Sequence, residues 1–210
     1  MGKRVFDVLL SSTLLVGLAP VLAGLYAAVQ ITLHNPVIFQ QNRVGKDGKP
    51  FTIYKFRTMR DLKDADGNLL PDSARVTKLG KFMRRIGLDE LPQLINILKG
   101  DMSFVGPRPR LVNDPNADQL DPQQISVINT VAPGLTGPSQ IKRMQLRRTL
   151  TLKEKLKIDW DYAVKQPSML NDLKIIFDTL PIFIVGNGDN STDTTPRKIT
   201  EKSDSPNLRQ

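Results

Sequence analysis

The stretch VLLSSTLLVGLAPVLAGLYAAVQITL, residues 8–33, carries no charged side chain over 26 residues. That exceeds the ~20 apolar residues that cross a bilayer, and a soluble core helix is rarely apolar on every face. Three readings compete. A cleaved signal peptide fits poorly, because the apolar run is too long and Asp7 interrupts the basic flank. A spanning helix fits by length. A re-entrant helix, which enters and leaves by one face, fits two further features. Pro20 lies near the middle, where it removes a helix hydrogen bond and forces a kink. Basic residues also flank both ends, Lys3 and Arg4 before and Arg43, Lys46 and Lys49 after, so neither end is marked as outside. The residues leave spanning and re-entrant open.

Outward from this segment the chain reads as a soluble domain. Of its 210 residues, 40% are hydrophobic and 24% charged, enough apolar material for a core. Lysine and arginine number 30 against 21 acids, a net charge of +9 that points to an anionic partner. The absence of cysteine excludes disulfides, thiol nucleophiles and cysteine zinc sites. The single histidine, His34, excludes a multi-histidine metal site, so acid, base or metal chemistry falls to carboxylates. With 6% aromatics and no recognisable binding motif, nucleic acid is not the expected partner.

The pattern predicts an α+β protein: a helix–kink–helix over 1–34, a small and mostly helical domain over 35–185 containing a short β-hairpin, and a disordered polar tail over 186–210. Strands are expected at 37–39 and 51–56 around the turn 45–48. Loops are expected at 61–72 and 114–123, and an irregular loop at 132–138, where glycine and proline cluster. Helices are expected at 77–86, 88–98, 159–164 and 171–185. Residues 140–157 hold seven basic residues against Glu154 alone, which suits a lipid-facing surface or a solvated helix face. Trp160 and Tyr162 are interface anchors or core residues.

Four groups could carry chemistry. Asp89 and Glu90 open an apolar helix ahead of Pro92; the plain structural reading is a helix cap. The same geometry suits a Mg²⁺ ion completed by phosphate oxygens, or an aspartate nucleophile acting on a pyrophosphate. Arg108 and Arg110 project from a proline-stiffened loop and suit bidentate phosphate binding. Lys55 and Arg57 share one face of a strand and could converge on one anion. The basic stretch is the fourth.

Several ordered motifs together carry a resemblance over residues 3–185. They are Lys3-Arg-Val-Phe-Asp7, Pro36-Val-Ile-Phe-Gln-Gln-Asn-Arg-Val-Gly45, Tyr54-Lys-Phe-Arg-Thr-Met59, Leu88-Asp-Glu-Leu-Pro-Gln-Leu94, Leu98-Lys-Gly-Asp-Met-Ser-Phe-Val-Gly-Pro-Arg-Pro109 and Pro133-Gly-Leu-Thr-Gly137. In these the chain resembles the bacterial sugar transferases, the small monotopic phosphoglycosyl transferases. The resemblance implies transfer of a sugar-1-phosphate from a nucleoside diphosphate sugar, usually a UDP-sugar, to undecaprenyl phosphate, with release of UMP and dependence on Mg²⁺. It implies a covalent nucleophile and metal ligand at Asp89, its dyad partner and second ligand at Glu90, a phosphate-site arginine at Arg108, and activity-linked cations at Lys55 and Arg84. It also implies a re-entrant helix bent at Pro20 in the bacterial cytoplasmic membrane, with the catalytic domain on the cytoplasmic face. A homodimer stays open beside a monomer. Alternatives are a glycosyltransferase releasing UDP and a non-catalytic membrane scaffold. Two departures stand out. Pro138-Ser-Gln140 and Lys142-Arg-Met-Gln145 replace the family's Trp-Ala-Gln and Asn-Gly-Arg-Asn, so Met144 stands where the motif has arginine, with Arg143 as the neighbouring cation. Ala19 precedes Pro20 where many relatives have serine.

Overall fold

A computed structural model describes residues 2–165 and 167–185; the tail expected at 186–210 lies outside the described residues. The apolar segment folds as two helices, α1 (Gly2–Gly17) and α2 (Ala19–Leu33), bent by 64°. The break falls at Leu18, two residues ahead of Pro20. Pro20 has no N–H to offer the carbonyl one turn back and its ring collides with that carbonyl, so the preceding turn opens. Proline is comfortable in the first turn of α2.

The residues that read as flanking charge have structural work. Lys3 donates to Asp172 and to the Val105 carbonyl (3.0 Å). Arg4 donates to the carbonyls of Ile97 (2.5 Å) and Leu98 (2.7 Å), capping a helix end. Asp7, 4% exposed, accepts from the Phe104 amide at 3.1 Å. Phe6 meets Phe104 edge-on with centroids 6.2 Å apart. Leu10 and Leu14 pack onto the same core, formed around Ile53, Leu94, Ile97, Met102 and Phe104. The far end of α2 is held separately: Val29 and Leu33 bury against Val37, Phe56 and Met83.

β1 (Ile38–Val44) and β2 (Pro50–Phe56) form an antiparallel hairpin with Ile38 opposite Phe56 and Val44 opposite Pro50. β1 runs five residues past the expected end. Its Gln40-Gln-Asn-Arg43 stretch gives no apolar signal, because Gln40 and Asn42 face solvent while Gln41 and Arg43, only half-buried, lie on the other face. After the loop come α3 (Asp72–Arg75) and α4 (Lys78–Arg85), capped by Thr77. The single helix expected at 88–98 is two pieces: a 3₁₀ turn, Leu88–Glu90, and α5 (Gln93–Lys99). Asp89 is therefore not a cap. Gly87 precedes the turn in the left-handed region at φ 72°.

Asn96 on α5 is fully buried and acts as a third strand on the edge of β2. Its Oδ1 accepts from the Tyr54 amide (3.1 Å), and its Nδ2 donates to the Thr52 carbonyl (2.7 Å) and to Asp101 (3.2 Å). Asn96→Ala leaves the half-buried Tyr54 amide and Thr52 carbonyl without their partner, which costs about 3 kcal/mol. We expect a melting midpoint lower by roughly 10 °C; a fall under 2 °C would show that water replaces the side chain.

β3 (Ser103–Val105) pairs in parallel with β4 (Gly134–Thr136), Ser103 opposite Gly134 and Val105 opposite Thr136. This corrects the irregular loop expected at 132–138. The glycines there serve close approach, not irregularity. A Cβ on Gly134 would lie 2.1 Å from the Gly106 nitrogen, and one on Gly137 would lie 2.0 Å from the Gly106 oxygen.

α6 (Pro122–Ile128) starts inside the loop expected at 114–123, with Asp121 accepting from the Gln123 amide. The basic stretch divides into α7 (Pro138–Leu146) and the start of α8 (Leu152–Val164). α8 begins seven residues before the expected helix because Thr151 and Glu154 form a capping box. α9 (Met169–Val185) closes the described chain. Tyr162 is a core residue: its hydroxyl donates to Asp172 at 2.8 Å. Trp160 stays exposed.

Asp159 on α8 is buried beside Ser139. Burial pushes its carboxyl up to about 6, with the Ser139 hydroxyl and amide and the Lys155 charge offsetting part of the cost. A carboxyl raised above its unfolded value of 3.8 makes the folded state bind the extra proton between those values. Its contribution is full below pH ~4 and is lost as pH rises through about 6, a swing of about 3 kcal/mol. Asp159→Asn should thus melt higher than the parent at pH 7.5, with the gap closing near pH 4. A gap independent of pH would refute the linkage.

Candidate active site

The 3₁₀ turn sets Asp89 and Glu90 between α4, β2 and α5. Glu90 Oε1 accepts from Lys55 Nζ at 2.5 Å, and Arg108 Nη2 stands 3.8 Å away. Burial alone would raise Glu90, but Lys55 and Arg108, with the Gln93 amide, outweigh it and hold the carboxyl below the usual range. Burial also lowers the Lys55 ammonium, with Arg108 adding to the effect and the two carboxylates opposing it. Asp89 goes the other way. Burial and the neighbouring Glu90 charge raise it, while Lys55 and Arg84 pull it back. The two adjacent carboxyls are therefore driven apart in acidity, as in many paired-carboxylate sites.

Arg84 leans towards Asp89 from α4, its Nε donating to the buried Thr58 hydroxyl at 2.9 Å. Arg108 reaches the dyad from the loop that follows β3. Asp89, Glu90, Lys55, Arg84 and Arg108 therefore come together as the sequence motifs suggested. Two expected residues do not join them. Arg57 lies just past the end of β2 and pairs with Asp61, also donating to the Asn35 carbonyl (3.3 Å). The shared strand face expected for Lys55 and Arg57 is lost because the strand ends between them. Arg110 turns to Asn129 Oδ1 (3.4 Å) and lies beside Asp114, while its carbonyl accepts from the Val44 amide.

Two cleft residues, Arg43 and Gln93, are not singled out as site residues by the sequence, whereas Arg143 is noted there as the cation beside Met144. Arg43 lines the cleft and donates to the Pro109 carbonyl (3.2 Å) and to Gln41 (2.6 Å), bracing the Pro107-Arg-Pro109 loop. Gln93, buried in the first turn of α5, lies against Glu90. Arg143 on α7 lies within electrostatic reach of Arg108 and Glu90. The only sequence signal for Arg43 was its place in the Asn42-Arg-Val-Gly45 motif.

Among the described residues no group of three or more aspartates, glutamates or histidines is placed to share a metal ion. Asp89 accepts no side-chain hydrogen bond from the described residues, whereas one Glu90 oxygen is taken by Lys55. Such a pair fits Mg²⁺, which takes one or two carboxylates and fills its shell with phosphate oxygens and water.

The family model described as bacterial sugar transferase matches residues 1–186. The chain belongs to this bacterial sugar transferase family. It is 40% identical over 203 residues to the uncharacterized sugar transferase EpsL of Bacillus subtilis (strain 168), covering 96% of this chain and 97% of that one. It is 39% identical over 181 residues to the UDP-glucose:undecaprenyl-phosphate glucose-1-phosphate transferase of Klebsiella pneumoniae. The protein of that name from Escherichia coli (strain K12) is 37% identical over 182 residues. Both matches cover 85% of this chain but only 39% of the longer relative.

Proposed function

We propose that this chain transfers a sugar-1-phosphate from a nucleoside diphosphate sugar, a UDP-sugar by kinship, to undecaprenyl phosphate at the cytoplasmic face of the bacterial membrane. The observation that carries the reading is the dyad: an aspartate that accepts no hydrogen bond from another described side chain, beside a glutamate engaged by Lys55 and Arg108. Two named relatives act on these substrate classes.

In the first step an Asp89 oxygen attacks the phosphorus that bears the sugar. The new bond is aspartyl oxygen to phosphorus. The bond from that phosphorus to the bridging oxygen breaks, and UMP leaves with the electron pair. In the second step an oxygen of undecaprenyl phosphate attacks the same phosphorus and Asp89 is released. Arg108 and Lys55 hold phosphate oxygens, and Lys55 keeps Glu90 ionised. Arg84 stabilises the ionised form of Asp89 before attack. Mg²⁺, held by Asp89 and Glu90 with substrate oxygens, would neutralise the charge of the diphosphate.

The bent helix pair supports membrane insertion from one side. No single described helix is long and apolar enough to cross. With arms of 16 and 15 residues and a 64° bend, the apex lies about 12 Å beyond the outer ends of the arms, less than half the ~30 Å hydrocarbon thickness. Both outer ends dock on the same domain, while Leu9, Val16, Val21, Tyr26 and Ile31 remain exposed along the arms. An apolar surface of this extent calls for a membrane or a partner.

The test is the nucleotide released by purified protein in nanodiscs given Mg²⁺, undecaprenyl phosphate and a panel of UDP-sugars. UMP is expected. UDP would show cleavage of the glycosidic bond and defeat the reading. If no nucleotide appears and intact mass shows no phosphosugar adduct on the protein, a scaffold role takes its place.

A further inference from the structure

Gln140 and Arg143 lie three residues apart on α7, and so on one side of it. Gln140 Nε2 donates to the Leu135 carbonyl at 3.3 Å, and Leu135 lines the cleft with Arg108 and Glu90. Ile141 and Met144 fill the core from the adjoining side of the helix. Met144, which stands at the motif's arginine position, is thus taken up by packing, and Arg143 is left on the side of α7 that carries Gln140. Close contact of Gly137 with Gly106 sets the start of α7 against the loop that carries Arg108.

Arg143 is half-buried and makes no hydrogen bond or ion pair with the described residues. The charges it faces are Arg108, which repels it, and Glu90. Glu90 already serves Lys55 and Arg108. Lys55, Arg108 and Arg143 all face Glu90, Arg43 lines the same cleft and Arg84 is set against Asp89, so cations outnumber carboxylates, a surplus that phosphate oxygens match. Two guanidiniums within electrostatic reach of each other are unfavourable. Phosphate oxygens between them remove the repulsion and accept forked hydrogen bonds.

We infer that Arg143 is a substrate-binding residue which, opposite Arg108, grips phosphate oxygens. This rests on the reading of the site as a phosphosugar transfer centre. The phosphate has two sources, the diphosphate of the nucleotide donor and the phosphate of the lipid acceptor.

The test measures binding without turnover on the full chain in nanodiscs, with UDP and undecaprenyl phosphate as separate probes. Arg143→Gln should raise Kd at least tenfold for one probe and less than twofold for the other, which identifies the source. Arg143→Lys should fall between, and the melting midpoint should stay within 1–2 °C of the parent, about the effect of an ordinary surface change. Lys142→Gln, the same charge change at an exposed neighbour, should leave both affinities intact; an equal loss there would reduce the effect to net charge and overturn the inference. So would unchanged affinity for both probes in Arg143→Gln. Parent protein that binds neither probe would instead bring down the functional reading, and this inference with it.

Discussion

Asp89→Asn is expected to lower nucleotide release by at least about 10⁴-fold, the scale seen when a covalent nucleophile is removed. No phosphosugar adduct should then appear by intact mass. The substitution is nearly isosteric and takes no side-chain hydrogen bond away from the protein. It also removes a negative charge that Glu90 repels, so the melting midpoint should hold or rise slightly. Glu90→Gln makes the contrast. It strips Lys55 and Arg108 of their shared carboxylate and leaves a largely buried ammonium unpaired, which should lower stability as well as activity. Release within tenfold of the parent in Asp89→Asn would sink the covalent role, whatever the fate of Glu90.

Gly134→Ala should be the most damaging single methyl group in the described chain. Its Cβ would lie 2.1 Å from the Gly106 nitrogen, 2.3 Å from the Thr136 oxygen and 2.7 Å from the Gly106 oxygen. All three are backbone atoms, so no side chain can swing aside. Either β3 and β4 part or the Gly106-Pro-Arg108 loop moves, and overpacking of this kind costs about 3 kcal/mol or more. Because Arg108 rides on that loop, activity should fall about 100-fold even where the protein still folds, as a ~1 Å misplacement of a positioned group does. Gly24→Ala is the matched control. Nothing lies within 4 Å of its added Cβ inside α2, so helix propensity alone should favour it by up to about 1 kcal/mol. A Gly134→Ala protein that melts and turns over like the parent would show that this parallel pair is absent.

Elements with their own local signal could be read from the chain. The apolar segment, its bend near Pro20, the hairpin and the terminal helix follow from hydrophobic periodicity and proline chemistry. The dyad and the Arg108 loop were legible as motifs. What escaped depends on contacts between distant parts of the sequence. Gly134 and Gly137 look like loop formers until Gly106 is placed beside them. The polar part of β1 has no pattern without its partner strand. Asn96 reads as one polar residue on an apolar helix until the edge of β2 needs an amide. Arg57 and Arg110 looked equivalent to Lys55 and Arg108, and only the end of β2 and the position of Asn129 separate them. The capping box of α8 was written locally in Thr151 and Glu154, but the surrounding basic charge hid it.

On the membrane-bound reading proposed above, the docking of α1 decides whether the protein could be released in an active form. Many surface-bound enzymes hang from a leash that a protease can sever, leaving a working soluble body. Here Phe6, Leu10 and Leu14 belong to the same core as Ile97 and Phe104, and Arg4 caps the helix that follows the dyad. Cutting behind Leu33 would take part of that core away with the apolar helix pair. Shedding is therefore closed to this architecture: an excised domain should not persist as an active soluble form, and activity should last only as long as the chain remains whole.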